Sequence, residues 1–268
     1  MTAIRTNRLR ADMAQLMALQ RQPAQFVYKL HQMLDFYNDY SYRPGQASQI
    51  QSLLPHYKIP LPVTRQIEYE LTCLCNEDAL SALLLADTLW QESYFEARLL
   101  AIHILSQVAV TPPEPVLERL SAWAQPDEDK QVLKILITHG AERLLREKPD
   151  QWSDLTHSWL INQDRAVQAM GLQALYATVE DDQFQNLPAI FRLISPHVQT
   201  IPNDLLNDLI PVLQALAKRS PGETAYFFHQ VLTIATNDQI PHLIRRCLQY
   251  LSPETQESLR AALRPFKT

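Results

Sequence analysis

Apolar residues recur every three to four positions along the whole chain, the spacing of helices that each bury one face. In "PAQFVYKLHQMLDFYND", Phe26, Val27, Leu30, Met33, Leu34 and Tyr37 line one side. Pro23 opens that segment, where a missing backbone N–H costs nothing. "EDALSALLLADTLWQ" and "SYFEARLLAIHILSQV" predict two further helices, with a polar break at Gln91 to Ser93. "PEPVLERLSAWA", "PDQWSDLTHSWLIN", "DRAVQAMGLQALYATV", "NDLLNDLIPVLQALAKRS", "GETAYFFHQVLTIAT" and "DQIPHLIRRCLQYL" carry the period toward the C-terminus. The stretch "PDEDKQVLKILITHGAERLLREKP", Pro126 to Pro149, reads as one long amphipathic helix. It places Lys130 and Lys134 one turn apart on the same side. No run alternates strictly enough to predict a strand, and roughly fifteen helices joined by short loops are expected.

Pro188 and Pro211 fall inside helical text. A proline within a helix removes a donor and clashes with the preceding turn, at about 3 kcal/mol, so a kink or a helix start is expected at each. One helix pair cannot cover its own apolar face, so successive pairs must stack. The expected fold is therefore all-α: a HEAT-like α-solenoid, an α-α superhelix of stacked antiparallel helix pairs over residues 1–268 as a single domain. The period is irregular, and an irregular all-α bundle is the structural alternative.

Composition narrows the picture. Hydrophobic residues make up 46% and charged residues 20%, enough apolar material for a core. Only 4 Gly stand against 18 Pro, which suits punctuated helices better than tight strand turns. "MTAIRTNRLRADMAQLMALQ" has no apolar run of the kind a secretory signal needs, and "ALLLA" at Ala82 to Ala86 is too short to span a bilayer. A cytoplasmic location without membrane contact is expected. Cys73, Cys75 and Cys247 are an odd set and read as free thiols of a reducing compartment. The eight histidines are scattered, with neither an HExxH motif nor a Cys/His cluster, so no metal site or cofactor is signalled.

The net charge of −5 is uneven: residues 1–30 carry +4, residues 241–268 carry +3, and the middle carries −12. A nucleic-acid footprint is usually basic, so the acidic middle favours a protein partner. Candidate phosphate contacts are nevertheless present. They are Lys130 and Lys134, with Lys218 beside Arg219 and the pair Arg245–Arg246 as a further basic rim. The competing reading is a solvated stripe in which Asp127, Glu128 and Asp129 balance the lysine pair. Trp90, Trp152 and Trp159 are expected to fill gaps between helices, and "YFFHQ" at Tyr226 to Gln230 is expected in the core.

Several segments, in order, resemble the AlkD-like DNA alkylation repair family of HEAT-like glycosylases. In "KIPLPVTRQIEYEL", Ile59, Pro62 and Arg65 match, with Lys58 where Gly is usual. "LWQESYFEARLLAIHIL" is similar through Leu89, Trp90, Glu96, Arg98, Ala101 and Leu105. Lys148, Pro149, Trp159 and Asp164 match a later segment, and Ala217, Lys218 and Pro221 a further one. The resemblance implies a superhelix whose concave face cradles duplex DNA, and an activity that removes alkylated purines. In that family an Asp and Trp residues stabilise positive charge developing on the deoxyribose.

Counted back without a gap from Pro149, the family's Asp falls on Lys134 and the Trp one turn earlier on Lys130. The second Trp falls on Pro211, and two Arg positions fall on Ala169 and Gln214. At ~5 Å and an effective dielectric of ~20, one unit charge contributes about 3 kcal/mol. Exchanging a carboxylate for an ammonium thus shifts the barrier by about 6 kcal/mol, roughly four powers of ten in rate. The resemblance therefore implies a non-catalytic binding or scaffold module, with duplex DNA or a protein as partner. The alternative is an active alkylpurine glycosylase using Trp123 and Asp127 of "WAQPD", which repeat the Trp-then-Asp spacing. That alternative needs an insertion before Pro149, and Pro126 between the two residues works against a shared helix face.

Overall fold

The computed structural model describes residues 6–38, 52–200, 202–234 and 239–266. Among them every regular element is helical, and the fold is all-α and HEAT-like. The chain forms two compact units, Met1–Lys148 and Pro149–Thr268.

The first unit holds α1 (Thr6–Met17), α2 (Pro23–Tyr37), α3 (Leu61–Glu77), α4 (Ala79–Trp90), α5 (Phe95–Gln107), α6 (Glu114–Trp123), α7 (Lys130–Ile135) and α8 (Glu142–Glu147). Helix α5 is central: α3, α4, α7 and α8 all pack against it. Phe26, Leu30, Ile67, Leu71, Leu85, Leu89 and Ile102 are fully buried and form the heart of this unit. The second unit holds α9 (Pro149–Leu160), α10 (Arg165–Glu180), α11 (Leu187–Thr200), α12 (Leu206–Arg219), α13 (Pro221–Thr233), α14 (Gln239–Cys247) and α15 (Pro253–Ala262). Here α12 takes the central place, against α10, α13 and α14.

The helix starts follow from residue chemistry. Pro occupies the first turn of α2, α3, α6, α13 and α15. Asp78, Asp129 and Asp164 cap α4, α7 and α10 by accepting backbone N–H bonds that the first turn leaves open. Pro188 lies in the first turn of α11, so it marks a helix start. Pro211 sits inside α12, in its second turn, so it does not mark a helix start.

Two expectations are corrected. The stretch from Pro126 to Pro149 is not one helix. Pro126 to Glu128 form a turn, α7 begins at Lys130 behind its Asp129 cap, and a π-helical turn, Leu136–Gly140, separates α7 from α8. The Thr138 hydroxyl donates to the Lys134 carbonyl at 2.9 Å, competing for the backbone acceptor at the place where the winding loosens. "YFFHQ" is core only in Phe227 and Phe228; Tyr226 is 66% exposed. Residues 235–238, at the ends of two predicted helices, lie outside the described residues.

Candidate nucleic-acid interface

In the first unit the α6–α7 turn is built by a layered contact. The Trp90 and Trp123 rings stack 4.5 Å apart with 5° between their planes. The Arg98 guanidinium lies over Trp90, 4.5 Å from the ring centre. Its Nη1 donates to Glu128 at 3.1 Å, and its Nε donates to the Glu92 carbonyl at 2.8 Å. Both partners of that ion pair are mostly shielded from water, which separates it from a weak surface pair. Asp129, next along, accepts N–H bonds from Gln131 and Val132 and, from the other side, from Leu53 at 2.8 Å. Burial pushes its carboxyl up, but the Leu53 and Val132 donors outweigh burial and hold it below the usual value.

Two of the three acids expected to balance the lysine pair are therefore engaged elsewhere, Glu128 with Arg98 and Asp129 with backbone. Lys130 and Lys134 are exposed, one turn apart on α7, and no described carboxylate pairs with either ammonium. What α7 presents is two exposed cations outside any ion pair of the described residues. Trp123 is 6% exposed and has one face against Trp90, whereas Asp127 is exposed in the turn beyond the end of α6. The spacing that suggested a catalytic pair thus joins a ring of the core to an acid in the solvent.

Sequence reasoning passed over the chemistry of Glu96. Burial pushes its carboxyl up, an N–H bond from Tyr57 and the nearby His31 and His56 pull the other way, and Oε2 has no hydrogen-bond partner. His31 beside it bridges the Tyr57 hydroxyl and Glu92, each at 3.0 Å, while Tyr57 stacks on Tyr94. Only the fold could reveal this cluster, because His31, Tyr57 and Glu92 are far apart in sequence.

In the second unit, Trp152 and Trp159 meet edge to face, and the Trp152 indole donates to buried Thr178 at 2.8 Å. Both indoles serve helix packing. Lys218, Arg245 and Arg246 are all exposed near the ends of α12 and α14, which pack together. Gln214, one turn before Lys218, donates to the Arg246 carbonyl at 3.0 Å, bringing these helix ends side by side. Arg245 also donates to the Phe266 carbonyl. Arg219 differs from its neighbour: its guanidinium binds the carbonyls of Val179, Asp182 and Phe184 and closes the C-terminus of α10. Ala169 is partly buried against the core of this unit.

Among the described residues no helix is long and apolar enough to cross a membrane. All three cysteines are free, with Cys75 and Cys247 buried. Neither the curated proteins nor the solved structures contain a match. A family model described as "DNA alkylation repair enzyme" matches residues 44–245, well over half of the 268. With the all-α, HEAT-like fold and the ordered segments above, the chain belongs to the DNA alkylation repair enzyme family.

Proposed function

We propose that this chain is a non-catalytic binding module of its family, which holds duplex DNA by the phosphates and does not excise bases. Lys130 and Lys134 are the primary contacts, and Lys218, Arg245 and Arg246 form a second basic group. The observation that carries this reading is the exposed lysine pair on α7, neither ammonium in an ion pair among the described residues, while Glu128 turns to Arg98 and Asp129 to backbone N–H groups. Ammonium groups suit phosphate and oppose a developing deoxyribose cation. The module is a single HEAT-like domain over residues 1–268 and works in the cytoplasm; its free thiols suit a reducing compartment.

A second reading is a protein-binding scaffold, favoured by the −12 charge of the middle of the chain. Duplex binding measured across a salt series separates the two. Phosphate contact makes log K fall with log salt by about 0.9 for each contact, so reversing both charges in Lys130→Glu, Lys134→Glu lowers the slope by about 2. Binding with no salt dependence, or an unchanged slope in the double variant, removes the lysines from the interface.

A further inference from the structure

The second unit contains a cavity of about 80 Å³ whose lining includes Leu160 and Leu172 together with Arg165, Gln168, His197 and Thr200. We propose that this cavity binds one tetrahedral phosphoryl oxyanion, with Arg165 and His197 as its donors. Size limits the ligand first. A water needs roughly 10–15 Å³ of such space, so the cavity takes about five to eight water-sized atoms, room for a phosphate group.

Hydrogen-bond capacity then selects the charge. Thr200 donates its hydroxyl proton to the Pro196 carbonyl, and Gln168 donates to the Asn162 carbonyl while accepting from Arg165 Nη1. Those bonds fix the guanidinium by one nitrogen and leave its other N–H groups for an acceptor. His197 bonds to no described group through its ring, and a neutral imidazole still offers one N–H. Burial, and after it the neighbouring His157, hold His197 below its usual value, so the ring enters as a neutral N–H donor. No carboxylate lines the cavity; Asp164 is spent on capping α10, and Asp204 and Asp208 crowd each other on the following turn.

The phosphoryl group comes either from a nucleic-acid backbone, in which case the site extends the DNA reading above, or from free phosphate, in which case it stands without it. The test follows the ring protons of His197 by NMR in the full chain, at constant ionic strength. Titration with inorganic phosphate moves the His197 resonance saturably and leaves exposed His242 in place. Arg165→Gln weakens that titration about tenfold, the loss of one charge-assisted contact, with an unchanged far-UV spectrum. Duplex DNA added to the phosphate-loaded protein displaces the phosphate if the source is a nucleic acid and leaves it bound if the source is free. Because Lys130→Glu, Lys134→Glu lies in the first unit and changes none of the residues of this cavity, its phosphate titration stays at the parent value, so the two readings fail separately. A His197 response that never saturates, or that Arg165→Gln leaves intact, overturns the site.

Discussion

Trp90 and Trp123 lie face to face, 4.5 Å between ring centres and 5° between planes. The contact joins the last residue of α4 to the last residue of α6, and the Arg98 guanidinium also lies over the Trp90 ring. An indole held this way is part of the wall that positions the α6–α7 turn. Trp123→Ala should therefore destabilise the chain by about 3–5 kcal/mol, the usual cost of emptying a buried aromatic site. Asp127→Asn, in the exposed turn, should stay within about 0.5 kcal/mol of the parent. Urea unfolding of the two variants checks the contrast; equal effects would contradict it.

Asp129 couples helix capping to pH. Its carboxyl is held below the usual value by backbone donors, so the stabilisation it gives is present above the unfolded pKa and is lost as pH falls through the folded one. Asp129→Ala should cost about 1–2 kcal/mol at neutral pH, the range for a lost N-cap. The gap between variant and parent should close in acid. Unfolding midpoints measured from neutral pH downward would show a persistent gap if the cap acts through shape alone.

Glu96 has the opposite sign. Burial pushes its carboxyl up and leaves Oε2 without a partner, so ionisation is less favourable in the folded chain. Stability is full below the ordinary glutamate pKa and declines as pH rises through the folded value. Glu96→Gln removes the charge and should raise the thermal midpoint at pH 7, with the advantage shrinking as pH falls toward that of an ordinary glutamate. A variant less stable than the parent at pH 7 would mean that the carboxylate has a use in the fold.

Two glycines predict opposite outcomes. A Cβ at Gly171 in α10 would come within 3.0 Å of the Leu160 backbone nitrogen and 2.9 Å of its side chain. Backbone cannot yield there, so Gly171→Ala should destabilise by about 1–3 kcal/mol. A Cβ at Gly222, in the first turn of α13, meets nothing within 4 Å. Gly222→Ala should be neutral or stabilise by about 0.4–1 kcal/mol, by reducing the freedom of the unfolded chain. Thermal unfolding of both variants checks the pair.

The legible and illegible parts of this chain divide by sequence distance. Helical periodicity is local, and Phe26, Val27, Leu30, Met33 and Leu34 are buried as their spacing predicts. The capping of α7 was written in the cluster of acids before Lys130, yet the same text also read as charge balance. Choosing between these needed Arg98, thirty positions from Glu128, and Leu53, seventy-six from Asp129. The π-helical turn was hidden for a related reason: its apolar residues fit a continuous helix, and the Thr138 bond to the Lys134 carbonyl is what sets it apart. The lysine pair itself was visible from the start. That neither ammonium sits in an ion pair of the described residues was not.

Base release from duplex DNA carrying 7-methylguanine, with protein in excess over DNA, tests the central claim most directly. With Lys130 and Lys134 on α7 and Trp123 locked against Trp90, free 7-methylguanine should appear at the rate seen without protein, although the duplex is bound. Protein-dependent release that disappears in Asp127→Asn would contradict the account and return Trp123 and Asp127 to the role of a catalytic pair.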